Sequence, residues 1–259
     1  MAAEKPGMDF GRLVYGLGLM AMGLVCLAWG KFDPGQAVPK NFPDRAAFAY
    51  AAAAFMLVAG AAVAWRRTAA LGAAALAVYY TLIVVVLMDG RGVLAHYAEF
   101  GSYSNVAEQL AIAAAGLIVF AATTNIDPVL GARLTRLGQL TFGVCAVLFG
   151  GAHFFYMNLT APLVPKWLPP DQVFWAYAAG IGHIAAGIAI LTGVQARLAA
   201  ILLTIMYASF TPLVHVPLLL ADHSQYFTWT ENALNIALTG VAWVVADSLA
   251  PGKRQRRNT

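Results

Sequence analysis

Eight apolar stretches of about 20 residues follow one another along the chain, each long enough to cross a bilayer as a helix. They are rich in Ala, Leu and Gly and lack the alternation of apolar and polar residues that is typical of strands. With 61% hydrophobic and 11% charged residues, the chain is far more apolar than a soluble domain. We therefore predict an all-α integral membrane protein with eight transmembrane helices. The predicted segments are residues 12–30, 46–65, 69–88, 105–124, 137–157, 173–193, 196–220 and 229–248.

The second half of the chain repeats the plan of the first. VPKNFP at Val38–Pro43 stands where VPKWLP stands at Val164–Pro169, and Tyr50 and Gly60 precede Tyr177 and Gly187 by a similar interval. An offset of ~126 residues, nearly half the chain, is typical of an internal duplication. We predict two four-helix membrane repeats, residues 1–128 and 129–259. Because four is an even number of crossings, the repeats should insert in parallel.

The basic residues predict the orientation of the chain. Eleven Lys and Arg lie on the amino-terminal side of the predicted helices and five on the other side. Both termini are therefore expected in the cytoplasm, with the chain in the inner membrane. The first segment is expected to be retained instead of cleaved as a signal peptide, because it matches the fifth. The carboxyl-terminal KRQRR is either a solvated topology determinant or a contact to anionic lipid, and nothing predicts nucleic-acid binding.

Polar side chains concentrate in the second half, where each of the four predicted helices carries at least one. Such groups cost several kcal/mol in hydrocarbon unless they are partnered, so we expect them to converge inside the bundle. In the first half, Met56 and a residue near Ala28 occupy the positions of His183 and His153. The predicted ligand-binding residues are His153, His183, His215, Glu231, Asn235, Trp167 and Trp175. The alternative is that the histidines only satisfy one another as hydrogen-bonded core residues.

Glu108 is the first-half counterpart of Glu231, and each lies in the first turns of its predicted helix. One interpretation is an acid placed near the interface at the positive end of a helix dipole. The other is a proton-carrying or ligand-binding group that faces the interior. Pro212 is expected to kink the seventh helix near Thr211, beside His215.

The sequence carries no signature of a metal or thiol centre. HExxH, CxxC and haem-attachment motifs are absent, and no metal site or catalytic residue is predicted. Cys26 and Cys145 are expected at different depths in their helices, too far apart for a disulfide.

Several motifs of the second half resemble those of the DoxX-like family of small four-helix membrane proteins. They are GGAHFFY, VPKWLP, FWAYAAGIGHIAAGIAIL, a basic link that ends in RLAA, and ENALNIALTG. The resemblance implies a four-helix membrane bundle, here duplicated. The family's pattern often has an acid where His183 stands, so the resemblance assigns no residue a role.

Named DoxX-like members are associated with a thiosulfate:quinone oxidoreductase and with membrane complexes that handle oxidative stress. The resemblance thus implies a redox-associated membrane component that works beside other membrane redox subunits. Its cofactor or ligand would be a quinone or a similar apolar molecule, held by hydrogen bonds from histidine. Two other functions stay open, a non-catalytic subunit or lipid-binding or small-molecule-binding module, and a transporter.

Overall fold

The computed structural model describes residues 8–250, and this part of the chain is helical, with no strand. The prediction of an all-α fold is confirmed. Lys5 and the KRQRR segment lie outside the described residues. A short helix, Met157–Thr160, follows the fifth long one. The eight long helices are α1 (Met8–Trp29), α2 (Arg45–Ala64), α3 (Ala69–Ala95), α4 (Phe100–Thr123), α5 (Pro128–Phe155), α6 (Gln172–Thr192), α7 (Ala196–Ala221) and α8 (Tyr226–Ser248).

Each predicted segment corresponds to one of these helices, and the largest difference is at the start of α5. This helix begins at Pro128 instead of residue 137. Asp127 caps it, because its carboxylate accepts hydrogen bonds from the backbone N–H groups of Val129 and Leu130, both at 3.0 Å. Proline at the first helical position lacks the N–H that would otherwise be unpaired there. The capping signal therefore starts α5 well before its apolar stretch.

Seven of the described helices, α1 to α7, are long and apolar enough to cross a membrane by length and composition. The predicted eighth span, α8, has 23 residues but is not among them. It carries two acids, two asparagines and several hydroxyl side chains. Twelve of its residues are buried, because it packs against α1, α4 and α7. Its polar side chains therefore face protein to a large extent.

Two helices contain π-helical segments, Tyr79–Asp89 in α3 and Thr211–His215 in α7. The second begins where Pro212 interrupts the regular hydrogen bonds, as expected from the sequence. Segments of this kind often occur at functional sites.

Consecutive helices pack as antiparallel neighbours, and α8 also packs against α1 and α4, which closes the bundle. Two crossings depend on glycine pairs. A Cβ on Gly60 would lie 2.8 Å from the Gly16 carbonyl oxygen, and a Cβ on Gly187 would lie 2.6 Å from that of Gly143. These distances leave no room for a side chain, so α1 with α2 and α5 with α6 approach closely. The same step of 127 positions leads from 16 to 143 and from 60 to 187.

Four loops meet at one end of the bundle, which we call the distal end: residues 30–44, 96–99, 156–171 and 222–225. Hydrogen bonds join two of these segments to the first turns of α8 and α4. The Tyr226 hydroxyl donates to the Phe32 carbonyl at 2.8 Å, and the Gly101 N–H donates to the Tyr156 hydroxyl at 2.7 Å. At the opposite end, the rings of Phe10 and Trp243 stack with centroids 6.1 Å apart. The first turns of α1 therefore lie beside the last turns of α8.

Candidate functional site

The imidazoles of His153 and His183 lie side by side between α5 and α6. Their ring centroids are 5.5 Å apart and the ring planes are inclined by 30°. This contact follows from local sequence, since a Cβ on Gly150 would lie 2.6 Å from the Gly180 carbonyl oxygen. His183 is buried, whereas His153 is partly exposed. The two histidines predicted from the sequence to converge are in fact neighbours.

Tyr207 of α7 is a third member of this cluster, and the sequence analysis missed it. Its ring centroid is 5.4 Å from that of His183, and its side chain is buried. The Tyr207 hydroxyl and His153 Nδ1 have no hydrogen-bond partner within the described chain. The Ala176 carbonyl lies close to the His153 ring but outside hydrogen-bonding geometry. Two buried polar atoms are therefore left for a group that the chain itself does not supply.

The hydrogen bond of His183 decides what its ring can offer. Its Nδ1 lies 2.8 Å from the Ala179 carbonyl oxygen, which can only accept, so Nδ1 carries the hydrogen. In the neutral ring, Nε2 is then an acceptor. His183 is therefore suited to a hydroxyl group, and the role of donor falls to Tyr207 or His153.

Asn235 of α8 holds the irregular part of α7 in place. Its Nδ2 donates to the Tyr207 carbonyl at 3.0 Å and to Thr211 Oγ1 at 2.9 Å. A helix that contains Pro212 leaves carbonyl groups of the preceding turn without their usual N–H partners. Asn235 supplies a donor there, so its observed contacts are those of a residue that positions Tyr207.

Three other predicted residues lie away from the imidazole pair. His215 is partly exposed in the π-helical segment of α7, and within the described chain no hydrogen bond or ring contact joins it to His153 or His183. Trp167 is 70% exposed in the loop before α6. Trp175 donates from Nε1 to the Pro169 carbonyl at 2.8 Å and so closes that loop.

Glu231 belongs to a different polar group from the histidines. The Glu108 carboxyl is close enough to Glu231, Asp33 and Asp89 for their charges to act on it, and these residues come from α8, the 30–44 loop and α3. Burial raises the pKa of Asp33 to about 6, although the N–H of Gly35 partly opposes this by donating to its carboxylate. Nothing joins Glu231 to an imidazole among the described side chains. The predicted set is thus divided between two places.

Two cavities are also present, one near each end. The distal cavity, of about 350 Å³, is lined by Asp89, His96, Glu99, Ser102 and Asn105, among others. The other, of about 440 Å³, lies where α4, α5 and α8 meet and is lined in part by Arg136 and Gln139. Neither includes the imidazole pair. Residues 8–250 contain no group of three or more His, Cys, Asp or Glu side chains that could hold a metal ion. Cys26 and Cys145 are free and buried.

Comparison with known proteins gives one match. Residues 142–246, most of α5 to α8, match the model of a family described as a domain of unknown function, DUF8561. No curated protein and no solved structure matches the chain.

Proposed function

We propose that the chain is a polytopic protein of the cytoplasmic membrane, with eight crossings and both termini in the cytoplasm. Seven helices have the necessary length and composition, and α8 runs beside α1 with its polar groups directed largely to protein. Eight crossings agree with the excess of Lys and Arg on the amino-terminal side. Reaction of Lys166 in intact spheroplasts with a membrane-impermeant amine reagent tests the orientation. Protection of Lys166 there, with reaction in inverted vesicles, would refute it.

We also propose that the two halves, 1–128 and 129–259, arose by duplication and form parallel repeats. The glycine pairs 16/60 and 143/187 support this. So do two arginines: Arg12 donates to the carbonyls of Val63 and Ala64, and Arg136 donates to those of Ile190 and Leu191. The carbonyls are 127 positions apart and the arginines 124, so the two arginines differ by about one helical turn from exact correspondence. With the offset of 127 positions, Met56 corresponds to His183 and Cys26 to His153. The family match covers most of one such repeat.

For the activity, we propose a redox-associated membrane component of DoxX-like type that binds a quinol or quinone beside His153 and His183. The observation that carries the proposal is the stacked imidazole pair next to Tyr207, with two polar atoms that no group of the described chain satisfies. A quinol hydroxyl can donate to His183 Nε2, and a quinone carbonyl can accept from the Tyr207 hydroxyl. One cluster thus offers partners to both oxidation states. The electrons would pass to or from other membrane redox subunits.

The test is the small-molecule content of protein purified in a mild detergent, measured by mass spectrometry. Wild-type protein should carry quinone, and a variant with His153→Cys and His183→Met, the first-half residues, should carry about tenfold less for each 1.4 kcal/mol of lost contact. His96→Gln, at an exposed loop histidine outside the cluster, is the control and should retain the ligand. Equal quinone content in the double variant and the wild type would refute the proposal.

A second function, a non-catalytic subunit or lipid-binding module, is favoured by the first half of the bundle. There Met56 and Tyr80 stand 127 positions before His183 and Tyr207, and the Tyr80 hydroxyl lies 3.2 Å from Met56 Sδ. The first half therefore forms the same contact without a histidine. If the second half serves the same purpose, His183→Met should leave activity in cells intact and change stability only modestly. Loss of activity at normal protein abundance would exclude this function.

A further inference from the structure

Four carboxyl side chains converge below the distal end of the bundle, away from the imidazole pair. They are Asp33, Asp89, Glu108 and Glu231, and they come from the 30–44 loop, α3, α4 and α8. The charges of the other three act on Glu108, and that of Asp33 also acts on Glu231. Glu108 and Glu231 are only partly exposed, and the helices that carry them, α4 and α8, pack against each other.

Among residues 8–250, no ion pair joins a basic side chain to these four carboxyls. The ion pairs of the described chain join Asp9 to Arg12 and Arg66, and His96 to Glu99. Two cations of this region lie over aromatic rings instead, Arg45 over Phe32 and Lys31 over Tyr226, each 5.4 Å from the ring centroid. Asp33 also has phenol and thiol groups near it, on Tyr79, Tyr80, Tyr226 and Cys26, and these are neutral when protonated. Neighbouring carboxylates that no cation pairs with cannot all be ionised in a low-dielectric interior, so at least one proton must stay bound.

A second, independent observation indicates an occupant at the same place. Gln109 follows Glu108 directly and is 0% exposed, yet neither its Nε2 nor its Oε1 has a hydrogen-bond partner in the described chain. Its amide lies against Gly35, and a Cβ on Gly35 would also be 3.1 Å from Asp33 Oδ1. One oxygen of Asp89 and the side-chain oxygen of Gln36 are likewise unpaired and buried. A buried amide without partners costs several kcal/mol, so water or a protonated group is expected to satisfy it.

The distal cavity gives this group a route to solvent. Asp89, Ser102 and Asn105 line it, and Asn105 Nδ2 donates to the Gly35 carbonyl at 3.0 Å. Gly35 in turn contacts Gln109. Along α4, residues 101, 105 and 108 are spaced by one helical turn and share a face. Glu108 therefore lies on the face of α4 that lines the cavity, about one turn beyond Asn105.

We propose that Glu108 and Glu231 share a proton that is exchanged with the distal aqueous side through the Asp89 cavity. The site is a proton-binding site inside the bundle, with Gln109 and Asp33 as polar groups for the water that carries the proton. It does not depend on quinone binding at the histidines. Of the two interpretations that the sequence offers for Glu108 and Glu231, this proposal takes the one in which they carry a proton.

Labelling with dicyclohexylcarbodiimide, a lipophilic reagent that modifies protonated carboxyl groups, tests the proposal on the full chain in lipid vesicles. Peptide mapping of the wild-type protein should find an adduct on Glu108 or Glu231, about one per chain. The double variant Glu108→Gln and Glu231→Gln should lose it, and Glu99→Gln, at an exposed acid paired with His96, should keep it. An unlabelled pair, or labelling confined to exposed acids such as Glu99, would overturn the proposal without the need for any variant to fold.

The direction of exchange is tested in vesicles with one orientation, with the distal side identified by the reaction of Lys166. Raising the pH on the distal side alone should slow labelling, since the protonated fraction falls about tenfold per pH unit above the apparent pKa. Raising the pH on the other side should have no effect. The opposite dependence would exclude the distal cavity as the route.

Discussion

The glycine contacts predict a sharp difference between two substitutions on one helix, Gly187→Ala and Gly182→Ala. Both glycines are in the interior of α6, so alanine gains about 1 kcal/mol of helix propensity at either position. At Gly182 the nearest atom to a new Cβ is Met206 Sδ at 3.7 Å, an ordinary contact. At Gly187 the new Cβ would lie 2.6 Å from the Gly143 carbonyl oxygen and 3.0 Å from the Val147 nitrogen.

The magnitude follows from what must move. Val147 Cγ2, at 2.7 Å, also opposes Gly187→Ala and can turn away, but the Gly143 oxygen and the Val147 nitrogen belong to the backbone of α5. Relief of those two contacts requires a shift of the whole helix crossing. Overpacking of this kind costs about 1–3 kcal/mol. The gain in helix propensity is common to both variants. The difference between their free energies of unfolding therefore measures the cost of the close contact alone. Gly182→Ala should leave the free energy of unfolding unchanged or raise it. For Gly187→Ala, the free energy of unfolding should be about 1–3 kcal/mol lower than for Gly182→Ala.

The assay uses the two cysteines of the chain. Cys26 and Cys145 are 0% and 1% exposed, so a thiol-reactive dye reports unfolding as the detergent-solubilised protein is heated. Gly60→Ala is a second test of the same kind, since its Cβ would lie 2.8 Å from the Gly16 carbonyl oxygen. Equal melting temperatures for Gly187→Ala and Gly182→Ala would refute the close packing of α5 on α6.

Three further substitutions test particular contacts. Asn235→Leu leaves the Tyr207 carbonyl unpaired and should cost about 1–3 kcal/mol, measured as a lower melting temperature; an unchanged value would contradict its role in α7. Arg136→Lys loses the pair of hydrogen bonds to the Ile190 and Leu191 carbonyls at the end of α6 and should lower the free energy of unfolding by about 1 kcal/mol. Arg133→Lys, at an exposed position, is the control and should leave it unchanged. Asp33→Asn should remove a pH dependence. Burial raises the pKa of Asp33 from 3.8 to about 6, so the folded state binds a proton that the unfolded state releases, and stability falls by roughly 3 kcal/mol as pH rises through that window. The melting temperature should therefore fall less between pH 4 and pH 7 in the variant than in the wild type, and an equal fall in both would contradict the burial of Asp33.

The helices could be predicted from the sequence because the length of an apolar stretch and its helical composition are local properties. Seven long apolar helices and the interruption of α7 at Pro212 were predicted in this way. The start of α5 was not, because it depends on the cap formed by Asp127 and not on hydropathy. The duplication and the orientation stay predictions, which the experiments above address.

The sequence predicts where Glu231 lies along its helix, but it does not predict which residues Glu231 meets. The sequence places Glu231 near one end of its helix, and the prediction assumed that the four helices of the second half surround their own site. In the structure α8 also packs on α1 and α4, so Glu231 meets Glu108 and Asp33 of the first half. His153 and His183 lie on consecutive helices, whose antiparallel packing is the simplest inference from a short connection. That pair is therefore together as expected.

Buried loop residues were not predicted at all. Asp33 and Gln36 are each 3% exposed, although a loop that contains Asp, Pro, Gly and Gln is ordinarily solvated. Their burial results from tertiary contacts of the distal end, such as the hydrogen bond from Tyr226 to Phe32, which joins residues far apart in the chain. No local sequence pattern predicts such a contact.

The relation between α1 and α8 decides how many times the chain can cross a bilayer. Phe10 stacks on Trp243 at one end of the bundle, and Trp29 contacts Tyr226 at the other, with ring centroids 5.7 Å apart. The two helices are therefore antiparallel along their full length. If α1 spans the hydrocarbon layer, α8 must span it as well, whatever its hydropathy, because both begin and end at the same levels. The acids of α8 can be tolerated there since its neighbours are protein, and that position makes a charged residue such as Glu231 available for proton exchange instead of leaving it exposed to lipid.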